Sequence, residues 1–157
     1  MVPKLPAPAP MLWIKLGLVL HTIAAGALAG SVTHLALVLR KARLGRPNPR
    51  LQRLYPAVAL GCFVAVYSLG SLLYPRYRVF VRADFLDEHA PWASKLFDLK
   101  ENLATLLGPL LLALVVLSRA EDPAKPSRAL LGCAAAVALG VWFNVVAGIL
   151  VASVRAV

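Results

Sequence analysis

The run LGLVLHTIAAGALAGSVTHLALVL, residues 16–39, passes through 24 positions without an Asp, Glu, Lys or Arg. An α-helix needs about 20 predominantly apolar residues to cross a hydrocarbon layer of ~30 Å, so this stretch reads as a membrane-crossing helix. Working outward from it, three more runs lack these charges: residues 54–75 (22 positions), 102–118 (17) and 129–154 (26). A spanning barrel strand alternates polar and apolar side chains over about ten positions, and these runs are continuously apolar. The expectation is an all-α integral membrane four-helix bundle in a single domain of 157 residues. Its helices are placed at about 11–40, 54–75, 91–118 and 127–154, the third entering lipid near Asn102 after a polar first half that starts at Pro91.

The N-terminal MVPKLPAPAP holds four prolines in ten residues and reads as an extended lead-in. The apolar run behind it is too long for a cleavable signal core and ends in Arg40 and Lys41, the pattern of a retained anchor.

Net charge is +10, yet the cations sit between apolar runs, which points to membrane topology and away from nucleic acid. Residues 40–53 carry six of the 17 Lys and Arg, so this loop is expected in the cytoplasm of a plasma or inner membrane, where it also offers a surface for anionic lipid headgroups. It follows that loop 119–128 is cytoplasmic too, while both termini and the connector 76–101 lie outside.

That connector gathers five of the seven carboxylates (Asp84, Asp87, Glu88, Asp98, Glu101) against five cations (Arg76, Arg78, Arg82, Lys95, Lys100). Tyr77, Phe80, Val81 and Phe85 fall on one face of an α-helix, which predicts a short interfacial helix at about 77–90 with its apolar side down. Asp98 and Glu101, three apart, share a helix face, and arginine forks from Arg76, Arg78 and Arg82 are expected to pair with the connector's carboxylates at the membrane edge, making an organised cap that serves as a seal or a docking platform.

On the fourth helix, Gly132, Ala136, Gly140, Asn144, Gly148 and Ala152 place a small or polar residue at every fourth position, and Thr22, Gly26, Gly30 and His34 repeat the spacing on the first. Inside lipid, apolar burial gives no net drive to associate, so close backbone approach and interhelical hydrogen bonds supply it, and small residues permit both. A ridge this long suggests contacts with other membrane subunits or with a second copy.

His21 and His34 are the ionisable side chains inside a predicted span, and such groups are suspects for function. Haem b or a quinone is the cofactor they suggest. The 13-residue step between them turns about 220° and rises about 19 Å, placing them on nearly opposite sides, so a bis-His haem would need a second chain. Cys62 and Cys133 form no CxxC pair and read as small apolar side chains. GxSxG, HExxH, P-loop and dinucleotide signatures are absent. The expected function is a non-enzymatic small subunit or assembly partner of a larger membrane complex. Alternatives are an electron-transfer subunit holding haem b or a quinone at His21 or His34, and a small transporter or channel.

Overall fold

A computed structural model of the chain describes residues 11–154; the lead-in at residues 1–10 lies outside them. The described residues contain no strand. Four helices are long and apolar enough to cross a membrane: α1 (Met11–Arg43), α2 (Pro49–His89), α3 (Pro91–Ala120) and α4 (Arg128–Val154). Each outlasts its uncharged run because a helix ladder continues into polar sequence until a cap or turn stops it.

The stops are chemically specific. At the end of α1, Gly45 takes a left-handed φ of 77°, Arg46 N–H donates to the Lys41 carbonyl at 3.0 Å and Gly45 N–H to that of Ala42 at 3.0 Å. These are the paired bonds of a Schellman turn, which needs a residue without a Cβ at the left-handed position. Asn48 then caps α2 by accepting from Leu51 N–H at 3.1 Å, with Pro49 in the first helical turn. Ahead of α4, Ser127 Oγ accepts from Leu130 N–H at 3.0 Å, and the same hydroxyl donates to Glu121 at 2.5 Å.

α1 packs on α2 and α4, and α3 packs on α2 and α4, closing a ring of antiparallel neighbours. Leu28, Val32, Leu35 and Leu39, spaced by three and four, form the buried stripe of α1. They meet Ala59, Leu107, Leu111, Leu114, Leu130, Val137 and Val141 in one core. Outward positions are equally apolar: Leu72 is 78% exposed and Leu139 74%, a surface suited to lipid and not to water.

The expected short interfacial helix differs in form. Residues 77–89 are helical but do not break from α2; the helix runs on to His89 and from Arg78 to Leu86 is wound as a π-helix, with Asp87 N–H reaching five residues back to the Arg82 carbonyl. The wider turn places Val81 and Leu86, five apart, inward against Ala90, Ala93, Phe97 and Val151. Phe80, grouped by α-helical spacing with Tyr77, Val81 and Phe85, instead stands outside with Arg76 over its ring at 5.3 Å. The sequence period assumed was 3.6, and the observed one is closer to 4.4, the value for bonds from i to i+5.

Candidate functional site

Polar side chains in this bundle gather where α1, α2 and α3 meet beneath the 76–101 connector. His21, about a turn and a half into the uncharged run of α1, faces α2 at Gly70; a Cβ on Gly70 would lie 3.4 Å from His21 Cε1, so the glycine gives the imidazole its room. Two cavities share His21, Gly70, Lys100 and Glu101. The inner one, about 100 Å³, reaches Ser71, Tyr67 and Asn144 between apolar walls that include Phe63 and Leu28. The outer one, about 130 Å³, runs toward the rim past Tyr74, Arg76, Tyr77 and Phe97.

The polar atoms of this space are incompletely paired. His21 Nδ1 and Tyr77 Oη are both buried with no hydrogen-bond partner. Asn144 donates from Nδ2 to the Gly140 carbonyl of its own helix at 2.9 Å, which leaves Oδ1 as an acceptor at the cavity. Pro75, four residues after Ser71, has no N–H to give the Ser71 carbonyl. At the mouth, Lys100 Nζ donates to Glu101 at 2.8 Å and sits 4.8 Å over the Phe97 ring. The lining is therefore apolar walls with a few convergent polar groups, the common form of a small-molecule pocket.

His34 is separate from this space. Its Nδ1 contacts the Gly30 carbonyl at 2.8 Å, and since a carbonyl only accepts, the ring proton sits on Nδ1 and Nε2 is the free nitrogen. The ring stacks on Tyr55 at 5.4 Å, at the opposite end of the bundle. The two histidines thus belong to different sites, as the 220° step implied. Among the described residues no group of three His, Cys, Asp or Glu comes together, and neither Cys62 nor Cys133 lines the His21 cavities.

The connector is held by an arginine fork of the kind expected. Asp98 accepts a two-pronged bond from Arg82 at 2.6 and 2.9 Å, with Asp87 3.6 Å from the Arg82 Nε. Ser94 in turn donates to Asp87. Glu101, three residues beyond Asp98 on the same helix, pairs with its own neighbour Lys100, while Arg76 lies over Phe80 and Arg78 is exposed. Tyr77 stacks on Phe97 at 4.2 Å, joining the end of α2 to α3 and to the outer cavity.

The ridge on α4 is used at one point. A Cβ on Gly140 would lie 2.7 Å from Leu107 Cδ2, whereas Gly132 and Gly148 have nothing within 4 Å, and Ala136 and Ala152 are exposed. Gly26 and Gly30 on α1 are likewise open. Gly70, Lys100 and Tyr77 were not singled out as site residues from the sequence; the available signal was the position of Lys100 and Glu101 directly before an uncharged run. The chain matches no protein-family model, no curated protein and no solved structure.

Proposed function

We propose that this chain is an integral membrane protein that holds a small lipid-soluble ligand of the quinone class beside His21, as a binding or electron-transfer subunit and not as an enzyme. The observation that carries this reading is the pair of cavities that share His21, Gly70, Lys100 and Glu101, with two buried polar atoms lacking a partner, His21 Nδ1 and Tyr77 Oη, on residues that line them. Each orphaned polar atom costs about 1–3 kcal/mol, and a bound oxygen would recover that. Lys100, Arg76 and the Tyr77 hydroxyl can donate to a ligand oxygen, and the apolar walls favour a molecule that travels in lipid. A flat ring bearing carbonyl oxygens meets both requirements. Haem fits less well, because no second His, Cys or Met among the described residues lines these cavities to complete its axial pair.

Titrating the purified full chain in nanodiscs with a short-chain benzoquinone tests the reading. Micromolar binding is expected, weakened at least tenfold in His21→Leu and in Gly70→Leu, whose side chain would displace the imidazole. Absence of saturable binding, or equal affinity in all three proteins, would mean that the cavities hold only water. A Soret band in native extracts that disappears in His21→Leu would replace the quinone with haem.

In this reading the 40–53 and 119–128 loops are cytoplasmic and the connector 76–101 lies at the outer face of a plasma or inner membrane. There, exposed Phe80 and Trp92 sit at headgroup depth and the π-wound segment skirts the interface. A second reading, a small subunit of a larger membrane complex, draws on the open glycines Gly26, Gly30, Gly132 and Gly148. Extraction in mild detergent is expected to yield a particle heavier than one chain and its micelle; a strictly monomeric particle counts against it.

A further inference from the structure

We infer that the clefts at the α1–α2 turn form a site for the phosphate of an anionic phospholipid, independent of the His21 cavities. A cleft of about 300 Å³ is lined by His34, Lys41, Arg46, Asn48 and Tyr55. Beside it a second, of about 450 Å³, shares Leu37, Lys41 and Arg46 and adds Arg40 and Leu44. The Schellman turn builds this arrangement: the 3.0 Å bond from Arg46 N–H to the Lys41 carbonyl folds the chain back, so both cations front the same clefts.

Apart from His34, whose ring proton is spent on the Gly30 carbonyl, the polar lining can donate. Residues 40–53 contain no carboxylate, and among the described residues none of Arg40, Lys41 and Arg46 is in an ion pair. Asn48 spends its Oδ1 on capping α2 and keeps its amide N–H groups free. Such a set, two or three cations with an amide donor, suits an oxyanion. A phospholipid is favoured over a soluble phosphate ester by depth and by the apolar flank. The clefts open where the uncharged run of α1 ends, and Leu44 and Leu37 are 70% and 48% exposed along the same wall, where they would meet acyl chains. Cations at this place also complement the α1 C-terminus and set topology, and neither role requires Lys41 and Arg46 in particular.

The test exploits that difference. Retention of phosphatidylglycerol over phosphatidylcholine by the full chain is counted by native mass spectrometry after release from mixed nanodiscs. The double variant Lys41→Gln/Arg46→Gln is compared with Arg50→Gln/Arg53→Gln, which removes the same charge from the same loop outside the clefts. The first is expected to lose about tenfold of the preference and the second less than threefold. Equal losses would show diffuse attraction and overturn the site, as would displacement of the lipid by millimolar glycerol phosphate, which would assign a soluble ester. Should the first double variant fail to accumulate, Leu44→Asp puts a carboxylate on the cleft wall at an exposed position. The same tenfold loss is expected there, and an unchanged preference overturns the proposal.

Discussion

Gly140→Val is expected to lower the stability of the bundle by about 3 kcal/mol, near the upper end for overpacking a filled core. Even a single Cβ at residue 140 would approach Leu107 Cδ2 to 2.7 Å, and Leu107 is only 2% exposed, so it has nowhere to swing. The α3–α4 contact must open instead, and in lipid that contact is held by close packing with little hydrophobic drive to restore it. For a domain of this size the melting temperature in detergent should fall by about 6–12 °C. Gly132→Ala is the control: nothing lies within 4 Å of its Cβ position, and replacing a mid-helix glycine gains helix propensity of up to about 1 kcal/mol. The two substitutions should therefore move stability in opposite directions. Equal destabilisation would mean that the α4 ridge is packed along its length, against the geometry described.

Asp98→Ala is expected to cost about 1–2 kcal/mol and to loosen the rim locally. The lost interaction is the two-pronged bond from Arg82, the contact that ties the π-wound end of α2 to α3 across 16 residues. Hydrogen bonds to charged groups contribute about 1.5–3 kcal/mol, and the partial exposure of the pair, 25% for Arg82 and 48% for Asp98, reduces that. Asp87, 3.6 Å from the Arg82 Nε, offers a partial substitute. A double-mutant cycle with Arg82→Ala, read by thermal unfolding, should show coupling of about 1 kcal/mol or more, and trypsin should cut sooner at Arg78. Additive losses with unchanged proteolysis would show that the ion pair is incidental and that Val81, Leu86 and Phe97 alone hold the cap.

The number and character of the long helices were legible in the chain itself. Uncharged runs of 17 to 26 residues are a local property, and in lipid each must satisfy its own backbone within the segment, which leaves helix as the outcome. Pro49, Asn48 and Gly45 likewise carry their stop and start signals locally. What only the tertiary structure decided is lateral: which face of each helix meets which neighbour. Small residues at every fourth position drift by about 40° per step, so a ridge of six on α4 can face α3 over only part of its length, and that part proved to be Gly140. The spacing of residues 77–90 could not reveal π winding, because the burial of Val81 and Leu86 against Phe97 and Val151 comes from elsewhere in the chain. His21 was suspect from composition, but the space beside it exists because Gly70, Lys100 and Glu101, distant in sequence, are brought to it by the ring of four helices, and non-local apposition leaves no periodic trace in a sequence.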